Sequence, residues 1–308
     1  MFLQTEMRIG NSEILTGSDS LNGLKKLLKQ KEFTGARKVV LVDEQTLQLC
    51  LPVLLSEVSE LTSAEIIEVE SGEASKNIEV CTEIWSALSD LGADRSSVLV
   101  NLGGGVITDM GGFIASCFMR GVRFINVPTT LLAQVDAAIG GKTGVDLGNL
   151  KNHVGVFSDA EAVVVSTKFL RSLGKRELLA GFAEMLKHAL ISDPGYWTQL
   201  KSIDFSDVDD LGEPVMRSIE RKSSNVGEQA LAEITETLLS LYKRHPIDDL
   251  DYNRIIEIMR HDKKNVNGEL NFTFLEAIGQ AKVNCTASAQ DVKHALNYYS
   301  VHSSQVAQ

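Results

Sequence analysis

Three residues whose side chains could perform chemistry lie close together in the stretch GFAEMLKHALISD, residues 181–193. Glu184, Lys187 and His188 occupy positions i, i+3 and i+4, which share one face of a helix. A carboxylate, an ammonium and an imidazole on one face could contribute to a metal site, to a proton relay or to a solvated surface. A metal site would also need ligands from elsewhere in the chain, because a catalytic zinc normally has three protein ligands.

A second stretch of chemical interest is NLGGGVITDMGG, residues 101–112, which follows a strand-like run and opens a helix-like one. Glycines allow the backbone to approach a pyrophosphate, and a helix N-terminus provides N–H donors and a positive dipole. The spacing is not a strict G-x-G-x-x-G, so a phosphate or dinucleotide site and a plain tight turn both remain open. Asp43, at the end of an earlier strand, could bind ribose hydroxyls or could simply cap a helix.

Two lysines lie among glycines in VDAAIGGKTGVDLGNLKN, residues 135–152, which contains Asp136, Lys142, Lys151 and Asn152. Backbone amides and ammonium groups together suit an anionic ligand. The alternative is a flexible surface loop, which the density of glycines and the apolar stretch just before them disfavour.

The elements that must position these residues change in character along the chain. In the first half, apolar runs such as KVVLVDEQT (38–46), AEIIEVE (64–70) and SSVLVNLG (96–103) alternate with helical stretches. This pattern predicts a parallel sheet covered on both faces, with ligands at the carboxyl ends of its strands. From about Lys168, apolar residues recur at helical spacing. We therefore expect a Rossmann-like α/β domain over residues 1–167 and an all-α domain over residues 168–308.

Composition restricts the class of partner. The chain has 308 residues, 44% of them hydrophobic, and a formal charge of −11, which argues against nucleic-acid binding but permits a local basic pocket for a small anion. Four widely spaced cysteines form no CxxC pair and are expected to be plain thiols in a reducing cytosol. No signal-peptide pattern and no apolar run of about 20 residues is present, so we expect a cytoplasmic protein without a membrane partner.

Taken together, these segments resemble the 3-dehydroquinate synthase family. The matching text is SGEASK (71–76), GGGVITDMGGF (103–113), MRGVRFINVPTTLLAQVDAAIGGKTGVD (119–146), KNHVGVF (151–157), GFAEMLKHALI (181–191), DKKN (262–265) and GELNFTFL (268–275). The resemblance covers most of the chain, and its 103–157 block is far more specific than a single glycine loop.

The resemblance implies that the first domain binds NAD and that a divalent metal, zinc or cobalt, lies beside the second. The residues it assigns to NAD are Asp43, Ser71, Gly72, Glu73, Ala74, Ser75, Lys76, Gly104, Gly105, Val106, Ile107, Thr108, Asp109, Thr129, Thr130, Lys142, Lys151, Phe169, Leu170, Arg171 and Ser172. Those it assigns to the substrate or the reaction are Arg120, Asp136, Lys142, Asn152, Lys187, Lys222 and Lys263. It also implies a homodimer, with Arg120 reaching across from the partner.

The implied reaction converts 3-deoxy-D-arabino-heptulosonate 7-phosphate, a small phosphorylated sugar acid, to 3-dehydroquinate and phosphate in the shikimate pathway. A transient oxidation of the C5 alcohol acidifies the neighbouring C–H, which allows phosphate to leave. The same NADH returns the hydride, and an intramolecular aldol step closes the ring. The metal polarises the C5 oxygen, and NAD carries the redox chemistry.

The metal ligands mark a departure from the family. The resemblance makes Glu184 a ligand, Lys187 a substrate contact and His188 an ordinary structural residue. The other two family ligands are histidines in GHTxGHAxE-like and HGEAV-like segments, and a block of several dozen residues containing both is absent near residues 226/227. Either a stretch is missing from the sequence, which the flanking matches at Lys222 and Lys263 favour, or the protein is truncated and inactive.

Three alternative functions therefore remain open. A sister sugar-phosphate cyclase would use the same cofactors on another phosphorylated ketose. A polyol dehydrogenase of the same architecture would show net NAD reduction with an alcohol. A metal-deficient homologue would bind NAD without catalysis.

Overall fold

The computed structural model describes residues 7–203, 205, 208–220, 230–243, 245–260, 265 and 269–302. The strands are β1 (Met7–Ile9), β2 (Ser12–Leu15), β3 (Lys38–Asp43), β4 (Glu65–Val69), β5 (Val98–Gly103), β6 (Arg123–Pro128), β7 (Lys142–Leu147), β8 (Leu150–Phe157), β9 (Ala162–Val164), β10 (Leu270–Ala277) and β11 (Gln280–Ala287). The helices are α1 (Ser20–Leu28), α2 (Glu44–Leu49), α3 (Leu51–Glu57), α4 (Ile78–Asp90), α5 (Gly105–Cys117), α6 (Lys175–Ser192), α7 (Pro194–Lys201), α8 (Gly212–Glu220), α9 (Ala230–Leu241), α10 (Tyr252–Met259) and α11 (Ala289–His302). Within these described ranges, no helix has both the length and the apolar character that a membrane crossing requires.

The main sheet has seven strands in the order β1-β2-β9-β6-β5-β3-β4, and all neighbours except β1 and β2 are parallel. Its central strands are apolar on both faces, as expected when helices cover both sides of a sheet. In β3, for example, the run 39–42 is buried throughout. The strands predicted from apolar runs are thus confirmed, and so is the Rossmann-like fold class.

The strand order reverses direction between β3 and β5. From β3 the chain moves outward to β4, then crosses back to form β5 and β6 on the other side of β3. In doubly wound sheets, ligands bind at the carboxyl edge beside such a reversal. The carboxyl ends of β3 and β5 are Asp43 and Gly103, so this topology directs attention to those two residues and the turns that follow them.

Helix α5 packs unusually closely on its neighbours. A Cβ at Gly111 would lie 2.1 Å from Oδ1 of Asn101 in β5, and one at Gly112 would lie 2.5 Å from Cγ2 of Thr143 in β7. No side chain fits at these distances, so both positions require glycine for packing. The close approach places α5 directly against β5 and against the β7–β8 hairpin.

The chain divides into two compact units, Met1–Met185 with Asp204–Ile219, and Leu186–Ile203 with Glu220–Gln308. The boundary falls inside α6, whereas the predicted boundary at 167/168 falls within the first unit. The second unit is mainly helical but also contains the antiparallel β10–β11 hairpin, which the sequence analysis did not predict.

The second unit has its own internal contacts. Trp197 in α7 donates a hydrogen bond from Nε1 to Oε1 of Glu233 in α9 at 2.8 Å, and Lys201 Nζ lies 2.6 Å from the same oxygen. A small core contains Ile256, Leu270 and Val292, one each from α10, β10 and α11. These contacts join α7 to α9, and they join α10 and α11 to the β10–β11 hairpin.

Candidate functional site

The glycine turn lies where β5 gives way to α5. Gly104 is the N-cap of the helix, and a Cβ there would lie 3.0 Å from Cγ2 of Thr130. The neighbouring turn after β6 is joined to it, since the Thr129 N–H donates to the Gly103 carbonyl at 2.9 Å. The turn at the carboxyl edge is tightly packed and its glycines have no side chains, so the first N–H groups of α5 are not covered by them. This arrangement suits a phosphate group.

A buried ion pair lies beside this turn. Lys76, only 4% exposed, places its Nζ 2.6 Å from Oδ2 of Asp109 in α5 and 2.6 Å from Oδ1 of Asn152 in β8. Burial raises the pKa of the Asp109 carboxyl, and the Lys76 ammonium offsets part of that rise. Three residues that are far apart in the sequence thus meet at one point, and their predicted contacts with ligands stay predictions.

The loop at residues 71–76 also reaches the β7–β8 hairpin at its surface. Lys151 Nζ lies 3.0 Å from Oε1 of Glu73, and this hydrogen bond raises the pKa of Lys151. Both side chains are largely exposed, so the contact is worth little to stability. It nevertheless keeps two predicted cofactor contacts on the same side of the loop.

Asp43 has a structural function in addition to its predicted one. Its Oδ1 accepts the Thr46 N–H at 2.8 Å, and Thr46 Oγ1 accepts the Asp43 N–H at 2.9 Å, which together form a capping box at the start of α2. The carboxylate is half-buried at the carboxyl edge of the sheet. Its predicted contact with a ribose stays a prediction.

The stretch 169–172, which was predicted to contact NAD, contains two buried side chains. The Phe169 and Leu170 side chains are 1% and 0% exposed, and Phe169 belongs to the main core. Because these side chains are buried in the protein, any contact of this stretch with a cofactor would come from its backbone or from Arg171 and Ser172.

Two predicted substrate residues are exposed at the surface of the first unit. Arg120 follows Met119, and both have positive φ angles, 68° and 50°. Side chains other than glycine rarely adopt this backbone conformation, so the chain is sharply turned here. Lys142 is exposed at the first position of β7.

The region around Glu184 combines several potential metal ligands. A Cβ at Gly181 would lie 2.5 Å from Leu131 Cβ, so α6 packs tightly against the chain just before the π-helical turn Ala133–Ala137, which contains Asp136. Glu184 is one turn further along α6, and His188, which is fully buried, one turn beyond that. One carboxylate oxygen of Asp136 lies within 4.8 Å of one of Glu184, and His188 follows Glu184 at i+4 on the same face of α6.

This group differs from the one the sequence suggested. His188 was expected to be an ordinary structural residue, and Asp136 was expected near the nicotinamide and the substrate.

Lys187 is exposed on α6. Lys222 and Lys263 lie outside the residues that the structure describes. Asp146, which the sequence analysis did not single out, accepts a hydrogen bond from the Asn152 N–H at 2.7 Å.

The fold, the reversal of strand order and the glycine turn define a doubly wound α/β protein of the nucleotide-binding class. A family model described as "3-dehydroquinate synthase N-terminal" matches residues 66–180. The curated 3-dehydroquinate synthase of Parabacteroides distasonis is 34% identical over 322 residues, covering 84% of this chain and 90% of the relative. The chain belongs to the 3-dehydroquinate synthase family.

Other relatives cover less of the chain or share only its fold. The 3-dehydroquinate synthase of Streptococcus thermophilus is 37% identical over 208 residues, which are 67% of this chain and 58% of that protein. Among solved structures, the 2-epi-5-epi-valiolone synthase of Streptomyces hygroscopicus, with NAD+ and Zn2+ bound, has a TM-score of 0.71 at 20% identity, covering 98% of this chain and 100% of its own. A 2-deoxy-scyllo-inosose synthase, complexed with carbaglucose-6-phosphate, NAD+ and Co2+, has a TM-score of 0.73 at 17% identity, covering 93% of this chain and 96% of its own.

The alignment with the Parabacteroides protein also bears on the absent block. Since 84% of 308 residues is about 259, roughly 63 of the 322 aligned positions have no residue in this chain. A difference of this size agrees with the several dozen residues found to be absent from the sequence.

Proposed function

We propose that this chain is a 3-dehydroquinate synthase, converting 3-deoxy-D-arabino-heptulosonate 7-phosphate to 3-dehydroquinate and phosphate. The observation that supports this most is the meeting of Lys76, Asp109 and Asn152 beside the glycine turn, at hydrogen-bonding distances of 2.6 Å. In a member of this family, that cluster lies where the nucleotide is expected to bind. Neither a plain βα turn nor a flexible surface loop would need a buried lysine held by two partners.

Different groups of the protein suit the NAD cofactor and the substrate. The N–H groups at the start of α5 suit the pyrophosphate of NAD, while Lys142 and Lys187 suit the substrate's phosphate and carboxylate as point charges. Bound NAD supplies reversible hydride transfer, and a bound divalent ion supplies polarisation of the substrate's C5 oxygen. Lys76 holds Asp109 and the Asn152 amide in fixed positions, so the reacting alcohol would be oriented by groups that are already in place.

The donor atoms available around Glu184 fit a zinc or cobalt ion. Two carboxylates and one imidazole are a mixed oxygen and nitrogen set, which suits zinc and cobalt better than magnesium or calcium. Three protein ligands also leave a position open for substrate, as in catalytic zinc sites. Asp136 and His188 would thus act with Glu184 in a chain that lacks the two histidines of its family.

Enzyme assays with purified protein would test the proposal. Incubated with the heptulosonate phosphate, NAD and Zn2+ or Co2+, the protein should release phosphate without net accumulation of NADH. Phosphate release only from another phosphorylated ketose would indicate a sister cyclase, and net NADH formation with a simple alcohol would indicate a dehydrogenase. Binding of NAD without either reaction would indicate the non-catalytic homologue.

The homodimer and the cytoplasmic location stay predictions. Sedimentation of the purified protein at two concentrations would test the dimer. If Arg120 acts across the interface, mixing an Arg120→Ala variant with a variant inactivated at Lys142 should restore part of the activity.

A further inference from the structure

We propose that Asp146 is a positioning residue for the nucleotide and substrate site, an inference that rests on the proposed function. Asp146 lies in β7, is half-buried and was not among the residues that the family resemblance assigned to any ligand. It acts through Asn152 and Lys76, two residues predicted to contact substrate and NAD, and it need not touch either ligand itself.

The β7–β8 hairpin is irregular at this point. Val145 pairs with Val154 and Leu147 pairs with Leu150, so the three residues 151–153 of β8 lie opposite Asp146 alone. Such a bulge leaves backbone groups without ladder partners and turns the bulged strand. Asn152, at the centre of the bulge, has a φ of 54°, in the left-handed region that asparagine tolerates better than most residues.

Asp146 closes a ring of three hydrogen bonds around this bulge. The Asn152 N–H donates to Asp146 Oδ1 at 2.7 Å, and the Asp146 N–H donates to the Lys76 carbonyl at 2.9 Å. Lys76 Nζ completes the ring by donating to Asn152 Oδ1 at 2.6 Å. Each of the three residues therefore donates one hydrogen bond and accepts one within the ring.

The ring fixes two functional groups through one carboxylate. The bond from Asn152 to Asp146 is charge-assisted and short, and it occupies the backbone N–H that the bulge removes from the strand ladder. Without this hydrogen bond, the left-handed backbone conformation of Asn152 would be less stable. The Asn152 side-chain amide would then move away from the Lys76 ammonium. Because an error of about 1 Å at a reacting centre can cost about 100-fold in rate, loosening the ring should reduce catalysis.

Three variants would test this inference. Asp146→Ala removes the acceptor, while Asp146→Asn keeps an oxygen that can still accept the Asn152 N–H. Thr143→Val is the matched control, since Thr143 Oγ1 donates to the Val156 carbonyl at 3.0 Å in the same hairpin but outside the ring. For each variant, kcat, KM, NADH affinity and Tm would be measured.

We expect Asp146→Ala to lower kcat/KM by about tenfold or more, mainly in kcat, and to weaken NADH binding. Asp146→Asn should stay within about threefold of the wild type in both measurements, because the acceptor oxygen is retained. Thr143→Val should change Tm alone. Equal losses for the alanine and asparagine variants, or a loss of Tm with unchanged kcat and NADH affinity in Asp146→Ala, would overturn the inference.

The same experiment separates this inference from the proposed function. If the wild-type protein binds NADH but releases no phosphate from the heptulosonate, the proposed function fails. The NADH affinities of the three variants would still show whether Asp146 positions the site. A wild-type protein that binds no NADH would overturn both.

Discussion

Gly104 is the residue of the glycine turn that begins α5. Its missing side chain keeps the turn open between β5 and α5, and a Cβ would lie only 3.0 Å from Thr130. We predict that Gly104→Ala raises the Kd for NADH by about tenfold or more, because the methyl group would occupy space that a pyrophosphate needs. Titration of nucleotide fluorescence would measure the change.

The control is Gly212→Ala, at the first position of α8. No atom lies within 4 Å of a Cβ built there, and the position has no left-handed backbone, so the variant should bind NADH as the wild type does. If both alanine variants bound NADH normally, the glycine turn would not be the nucleotide site.

Lys76 offers a second prediction at the scale of single residues. Lys76→Met leaves Asp109, only 18% exposed, without its counter-charge, which should lower the free energy of unfolding at neutral pH by on the order of 3 kcal/mol. Denaturant titration would measure this. Lys151→Met breaks an exposed ion pair with Glu73 and should cost less than about 1 kcal/mol.

The pH dependence of the Lys76 variant has a definite sign. Burial already raises the pKa of Asp109 in the folded protein, and loss of the ammonium would raise it further. A carboxyl with a raised folded pKa stabilises the native state below its unfolded pKa, and that contribution is lost as the pH rises through the folded value. The destabilisation should therefore be smaller at about pH 4 than at pH 7, and a larger loss at low pH would contradict this assignment.

At this scale, sequence reasoning could identify which residue types belong to the site but not how they connect. Glycines, lysines and asparagine in a recognisable order are visible in the sequence. The contact between Lys76 and Asn152 joins residues that are 76 positions apart in the sequence. The proposed role of Asp146 depends on a β-bulge that no local sequence pattern predicts.

At the scale of elements, Glu233 joins α9 to α7. It accepts hydrogen bonds from the indole of Trp197, which is 2% exposed, and from Lys201. Glu233→Ala would leave the buried indole N–H without this partner, so we predict a loss of about 1–3 kcal/mol in the free energy of unfolding. Glu236→Ala, an exposed position on the same helix, should change stability by less than about 0.5 kcal/mol in the same denaturant titration.

Acid titration gives a separate check on this contact. Hydrogen bonds from Lys201 and Trp197 lower the pKa of Glu233 below its ordinary value of 4.5. A carboxylate with a lowered folded pKa contributes stability above its unfolded pKa, and this contribution is lost as the pH falls through the folded value. Glu233→Gln should therefore flatten the fall in Tm below about pH 4.5, whereas an unchanged fall would show that the contact does not form.

Sequence patterns predicted some strands of this protein and not others. Strands β3, β5 and β6 were predictable because each is an apolar run that is buried along nearly its whole length, and the edge strand β4 was predictable from its short apolar run alone. Strand β8 is exposed along nearly its whole length, so burial imposes no alternation of apolar and polar residues on it, and residues 135–152 were interpreted as a glycine-rich anion-binding segment, without a hairpin. The β10–β11 hairpin lies in a half of the chain dominated by helical spacing, and it was missed for that reason.

At the scale of the whole molecule, the absent block changes what must hold the metal. If Asp136, Glu184 and His188 form the site, the purified protein should retain about one zinc or cobalt ion per chain, measured by elemental analysis. Removing the ion with a chelator should also lower Tm, because an ion that binds the native state alone stabilises it.

The metal content of two histidine variants would test this prediction. His188→Ala should lose most of the metal, whereas His153→Ala, at an exposed position in β8, should retain it. A His188→Ala protein with a full complement of metal would show that the histidine is structural, as the family comparison had suggested.

The most direct test of the account is the fate of the hydrogen at C5 of the substrate. With heptulosonate phosphate carrying deuterium at C5, unlabelled NAD and the purified protein, mass spectrometry and NMR would locate the label. If one nucleotide takes the hydride and returns it, the deuterium should reappear at the corresponding carbon of dehydroquinate, with no net NADH. Deuterium that accumulated in released NADH, or phosphate release by protein stripped of nucleotide, would contradict the account.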